Sequence, residues 1–168
     1  DASFDEVAEN CRLATLYNCA CMCLAPTHVY EAKRLFGNTL KICTVVGFPN
    51  GYSDTATKVF ETQHLIEEGA DEIDVVINIA DACSGDYSKV ERELMSIRRA
   101  SEGHVLKVIV ECCSLLEENL REMCKVVSAV GADYIKTSTG FGKYGARDED
   151  LVLMRHECDP KTKIKAAG

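Results

Sequence analysis

Gly131-Ala132-Asp133-Tyr134-Ile135-Lys136-Thr137-Ser138-Thr139-Gly140-Phe141 is an apolar strand that runs into a lysine, followed at once by a turn of hydroxyl residues and glycine. Lysine is almost never fully buried unless it is paired. At the end of a buried strand it has two readings. It can lose its proton and attack a carbonyl as an amine, or it can be an edge-strand lysine whose ammonium reaches water. The hydroxyls and permissive backbone of Thr137 to Gly140 suit a phosphate.

Working outward, helix and strand alternate. Ser3 and Glu6 have the spacing of a capping box ahead of a helix to about Tyr17. Strands are expected over residues 19–24, 41–48, 72–78, 105–111, 133–136 and 163–166. Helices are expected from Pro26 or Thr27 to Phe36, from Asp54 to Gly69, and over 88–101, 117–130 and 148–156. A repeat of about 30 residues with near-continuous apolar strands points to βαβ units and a parallel sheet covered by helices. GxGxxG and Walker patterns are absent, so a nucleotide fold is not indicated. A (β/α) barrel and a doubly wound sheet both fit, and charges within strands favour the barrel. Asp74, Lys107, Glu111, Lys136 and Lys165 lie in or at the ends of four strands, as barrel active sites require. Lys107 and Glu111 are an even number apart, so they are read as paired supports inside the barrel.

At 168 residues the chain suits one domain, residues 1–168, with a sizeable core. A net charge of -8 argues against nucleic-acid and anionic-membrane surfaces. Neither a bilayer-length apolar run nor an N-terminal basic-then-apolar signal is present. The expectation is a cytoplasmic protein, or one whose targeting segment lies outside this chain. Ten cysteines raise the question of a disulfide scaffold, but they sit inside helix and strand patterns and fit packed thiols in a reducing compartment. Cys19, Cys21 and Cys23 alternate, which puts them on one strand face. No CxxC pair or histidine pair completes a metal cluster, so no metal is expected.

Five segments, taken in order, resemble the deoxyribose-phosphate aldolase family: Thr44-Val-Val-Gly-Phe-Pro-Asn-Gly51, Gly69-Ala-Asp-Glu-Ile-Asp74-Val-Val-Ile-Asn78, Leu106-Lys-Val-Ile-Val-Glu111, the opening stretch, and Lys165-Ala-Ala-Gly168. The resemblance implies a (β/α)8 TIM barrel, here lacking its first and last strands, so that residues 1–168 are expected to be a fragment of a longer chain. It implies reversible cleavage of 2-deoxy-D-ribose 5-phosphate into D-glyceraldehyde 3-phosphate and acetaldehyde, in deoxynucleoside catabolism, without a cofactor. By resemblance Lys136 is the Schiff-base lysine, Lys165 the second lysine and Asp74 the proton relay. Cys23, Thr139, Gly140, Phe141 and Gly168 are substrate-binding positions. Asn50 stands where the family often has histidine, and Cys112 where threonine is usual. The expected partner is a small sugar phosphate, with no nucleic acid and no membrane, and a homodimer fits.

The chemistry needs such residues. Cleaving the carbon–carbon bond leaves a carbanion, and an iminium supplies the electron sink. A lysine nucleophile must first lose its proton, and a neighbouring cation disfavours the charged form. Bland readings stand beside these: Asp74 as a structural partner of Lys107 or Lys165, Lys165 as a surface residue, and Cys23 as an inert core thiol. Two other functions remain, a truncated non-catalytic phosphate-binding module and a cysteine-based metal or redox protein. Six of eight strands would leave two unpaired edges, so residues 1–168 alone are expected to be poorly soluble or oligomeric.

Overall fold

The computed structural model describes residues 2–168. Six parallel strands form one sheet in chain order: β1 (Met22–Leu24), β2 (Ile42–Val46), β3 (Glu72–Val76), β4 (Val105–Ile109), β5 (Tyr134–Lys136) and β6 (Lys163–Lys165). The helices are α1 (Phe4–Leu16), α2 (Val29–Phe36), α3 (Thr55–Glu67), the short α4 (Ile79–Cys83), α5 (Tyr87–Ala100), α6 (Glu117–Ala129) and α7 (Asp148–Glu157). A doubly wound sheet reverses its strand order part-way. This one never does, and that settles the choice left open by periodicity: the sheet is six strands of a (β/α)8 barrel.

The alternation of side chains along each strand divides the sheet into two faces. Ile42, Val46, Ile73, Val75, Leu106, Val108 and Ile135 face the helices and pack with Val29, Leu65, Leu94, Ile97, Met123 and Val127. Burying each such side chain contributes about 1.5–3 kcal/mol. The opposite, barrel-facing set is also buried but chemically different: Cys43, Glu72, Asp74, Lys107 and Lys136 lie on it. The helices thus hold the sheet through its outer face, and the inner face is left free to carry charge.

Local sequence sets the ends of these elements. Ser3 and Glu6 form the expected reciprocal cap on α1. The two Gly-Ala-Asp triplets, Gly69 to Asp71 and Gly131 to Asp133, do the same job twice. Asp71 Oδ2 accepts from the Ile42 N–H at 2.8 Å, and Asp133 Oδ2 from the Leu106 N–H at 2.9 Å. Each pins the start of one strand to the next, and each also holds a helix cation, Lys33 or Arg98. Gly51, at φ 70°, turns so close to the sheet that a Cβ there would sit 1.8 Å from the Ile77 carbonyl oxygen, so only glycine fits.

Two expectations about strand faces fail. Asn18 adopts a left-handed backbone, and the Cys19 N–H bonds back to the Ala14 carbonyl at 2.9 Å. Cys19 therefore closes α1 and does not share a strand face with Cys21 and Cys23. At the other end, β4 stops at Ile109, and Glu111 is left-handed at φ 47°. It is no longer in phase with Lys107, so the two do not pair.

Sequence also missed a buried ion pair behind the sheet. Lys58 on α3 is fully enclosed, with its Nζ 2.7 Å from Glu93 Oε1 on α5 and donating to the Val76 carbonyl at 2.9 Å. Burial pushes the Lys58 ammonium's pKa down, and Glu93 opposes that. The pair ties two helices to the C-terminal end of β3.

Candidate active site

Register brings the charged strand residues together. Asp74 on β3 lies opposite Lys107 on β4, and Lys136 on β5 lies opposite Lys165 on β6. Three ammonium groups converge on the Asp74 carboxylate, which is completely buried. Lys107 Nζ is 2.6 Å from Oδ1, Lys136 Nζ is 2.8 Å from Oδ2, and Lys165 Nζ is 3.3 Å from that same oxygen. Lys136 and Lys165 therefore lie within about 6 Å of each other. Lys107 has a second partner, Glu72 Oε2 at 2.7 Å.

The electrostatics distinguish these groups. Burial alone would raise the pKa of Asp74, but Lys136 and Lys107 outweigh it and hold the carboxyl down to about 2. Asp74 is an anion across the whole physiological range. For Lys107, burial favours the neutral amine, and Cys43, Asp74 and Glu72 around it overturn that and raise its pKa. Lys165, a third exposed at its side chain, is raised in the same way by Asp74 against its own desolvation. Both are fixed cations. Lys136 is buried, with 7% of its surface exposed, and sits at the C-terminal end of its strand where loops open to solvent.

Those loops carry the remaining expected positions. Thr137 Oγ1 donates to the Ala167 carbonyl and accepts from the Ala167 N–H at 3.1 Å, which stitches the β5 loop to the segment after β6. Gly168 packs against Gly145 and Ser138, so tightly that a Cβ on Gly168 would fall 2.5 Å from the Gly145 Cα. Thr139 Oγ1 donates to the Glu111 carboxylate and accepts from the Phe141 N–H at 3.1 Å. Glu111 is thus a brace for the Thr139-to-Phe141 turn. Gly140 has open space around it, and exposed Phe141 stacks edge-on against Phe48 with ring centres 5.6 Å apart. Lys136, Thr139, Gly140, Phe141 and Gly168 all lie at one end of the sheet, around one mouth.

The profile of the DeoC/LacD family aldolases matches residues 1–165. The chain belongs to that family. Curated relatives from Streptococcus pyogenes serotype M28 and Streptococcus agalactiae serotype Ia, both deoxyribose-phosphate aldolases, are each 51% identical over 155 residues, covering 92% of this chain and 70% of theirs. The tetrameric deoxyribose phosphate aldolase of Aeropyrum pernix superposes with a TM-score of 0.90 at 31% identity, over 99% of this chain and 71% of that one.

The same cluster also contains groups that the sequence did not single out. Cys43 on β2 lies opposite Cys23 on β1. Its thiol donates to Asp74 Oδ1 at 3.1 Å and accepts from Lys107 Nζ at 3.2 Å. The adjacent Cys43, ahead of the Lys136 and Lys165 cations, lowers the pKa of the exposed Cys23 thiol to about 7. Two sets of potential metal ligands share Cys43: Cys21, Cys43 and Glu72, and Cys23, Cys43 and Asp74. The even spacing of Cys21 and Cys23 was a signal for them, but Cys43 and Glu72 come from other strands and no local motif joins them. Cys112, the departure from threonine, is buried beside the Glu111 turn. Asn50, the departure from histidine, is exposed on the loop after β2.

Proposed function

We infer that the chain reversibly cleaves 2-deoxy-D-ribose 5-phosphate into D-glyceraldehyde 3-phosphate and acetaldehyde, with Lys136 as the Schiff-base residue. The observation that carries the assignment is that Lys136 and Lys165 meet on one oxygen of buried Asp74 at the mouth of an aldolase-family barrel. Lys107 is locked between Glu72 and Asp74 and Lys165 is held cationic, which leaves Lys136 as the amine to react.

Neutral Lys136 attacks C1 of the open-chain sugar to give a carbinolamine, which loses water to form the iminium. Water takes the proton of the C3 hydroxyl, and the O–H pair becomes the second bond of the C3 carbonyl as the C2–C3 bond breaks. The C2–C3 bonding pair then passes into the C1–C2 bond, and the iminium becomes an enamine. Glyceraldehyde 3-phosphate leaves, C2 is protonated, and water hydrolyses the second imine to acetaldehyde and free Lys136. With a pKa held near 2, Asp74 is a weak base, so its part is to orient Lys136 and the waters that move protons rather than to store one. Lys165 supplies the fixed positive charge beside the nucleophile. The Thr139, Gly140 and Phe141 turn, braced by Glu111, and the backbone at Gly168 receive the phosphate, with Cys23 on the pocket wall.

Residues 1–168 form one aldolase-type domain in this reading. The tetrameric relative supports self-association, here as a homodimer, which the mass in solution tests. Ten free thiols suit the reducing cytoplasm, and among the described residues no helix is long and apolar enough to cross a membrane.

Borohydride added with acetaldehyde should reduce the imine and fix mass on one lysine. Peptide mapping should find it on Lys136, and Lys136→Arg should abolish both adduct and turnover, since a guanidinium stays protonated. An adduct on Lys107 or Lys165 in active protein would overturn the assignment.

A further inference from the structure

On the floor of the barrel, one layer below Asp74, three ligand atoms come from three separate places. Cys21 lies just before β1, Cys43 on β2 and Glu72 at the start of β3. The two Sγ atoms and a Glu72 carboxylate oxygen all lie within 4.8 Å of one another. Three atoms at such separations share a centre no more than about 2.8 Å from each. Zinc lies about 2.3 Å from thiolate sulfur and 2.0–2.2 Å from carboxylate oxygen, so small side-chain rotations bring all three into range. We propose that Cys21, Cys43 and Glu72 form a binding site for a thiophilic divalent cation of the Zn2+ and Cd2+ class.

The alternative set around Asp74 is the poorer choice. Asp74 is held by Lys107, Lys136 and Lys165, whereas Glu72 is held by Lys107 alone. An ion taking Glu72 and Cys43 displaces the Lys107 ammonium from both, and Lys107 keeps its 2.6 Å bond to Asp74. Cys21 is half-buried, which gives a cation a route to the sulfur, and Cys43 is fully enclosed. Two sulfurs with one carboxylate select zinc or cadmium over magnesium or calcium, which prefer all-oxygen shells. Coordination releases both thiol protons to solvent as the two metal–sulfur bonds form, and water completes the tetrahedron.

The position couples the floor to the mouth. Cys43 currently donates its S–H to Asp74 Oδ1 at 3.1 Å, and as a metal-bound thiolate it has no proton to give. Binding thus removes one of the hydrogen bonds that fix Asp74, and turnover should fall. The site stands on its own geometry, so failure of the Schiff-base assignment leaves it intact.

The test is titration of the fully reduced protein with Cd2+, read by the sulfur-to-cadmium charge-transfer absorption and by the alkylation rate of Cys21 mapped by mass spectrometry. One ion per chain is expected, with Cys21 protected at least tenfold while exposed Cys19 and Cys83 react at their metal-free rates. Glu72→Gln should weaken binding at least tenfold, and Cys43→Ser should abolish it. Cys19→Ser should bind as the unaltered protein does. The alkylation map of the unaltered protein decides the matter if Cys43→Ser does not fold. Absence of the band at equimolar Cd2+, or a band without protection of Cys21, overturns the proposal.

Discussion

Replacing Asp74 with asparagine keeps the shape of the side chain and removes the charge that three ammonium groups share. A carboxyl held near 2 rather than at 3.8 is about 2 kcal/mol better placed as an anion in the fold than in the unfolded chain. Breaking a buried ion pair from one side costs about 3–5 kcal/mol, because the partner is left enclosed and uncompensated. Lys107 retains Glu72, and Lys165 is a third exposed, so the loss in Asp74→Asn should fall between these figures, about 2–5 kcal/mol at pH 7. For a chain of this size that lowers the melting temperature by about 5–20 °C. The dependence on pH has a definite sign. The folded pKa lies below the unfolded one, so the contribution is fully present above the unfolded value of 3.8 and is lost as pH falls through about 2. Asparagine does not titrate. The gap between the two proteins should therefore stay constant from pH 8 to pH 5 and narrow steadily below pH 4. Urea unfolding followed by circular dichroism measures it, since the chain has no tryptophan to report. A variant that unfolds at the unaltered midpoint at pH 7, or a gap that stays constant into acid, would show that Asp74 does not hold the lysines.

Lys165→Leu removes a fixed cation beside Lys136, so the acidic limb of the pH–rate profile should move to higher pH, with activity lost near neutrality partly returning in alkali; an unshifted profile would remove Lys165 from that role. Glu111→Gln weakens the charged brace on Thr139, a bond class of about 1.5–3 kcal/mol, and should raise KM for the sugar phosphate roughly tenfold while kcat changes less. Equal losses in kcat and KM effects confined to acetaldehyde would place Glu111 elsewhere in the cycle. Glu93→Gln leaves the Lys58 ammonium enclosed without its anion and should cost about 3–5 kcal/mol in urea unfolding, with the borohydride adduct still forming on Lys136 in the protein that remains folded.

The sequence by itself determined the strands, the longer helices and their order, but not the short α4. Helices and strands carry their own periodicities, and Ser3 with Glu6 or Gly131 after α6 mark ends through bonds only a few residues long. The strand ending in Lys136, with its hydroxyl turn, was legible for the same reason. The boundary errors were local too: Asn18 and Glu111 turn left-handed, a backbone state that neither residue type demands, and so Cys19 left its expected face and Glu111 its expected partner. Tertiary structure alone decided what each buried charge would meet. Asp74 is 33, 62 and 91 positions from Lys107, Lys136 and Lys165. Lys58 is 35 positions from Glu93. Cys43 reaches Asp74 across 31 positions. Nothing in a local window couples such residues, because strand register and the curvature of the sheet set their distances. The sequence could say that ionised side chains on an inner barrel face must find partners, since isolated buried charge is too unfavourable to persist. Only the fold could say that three lysines would choose the same carboxylate.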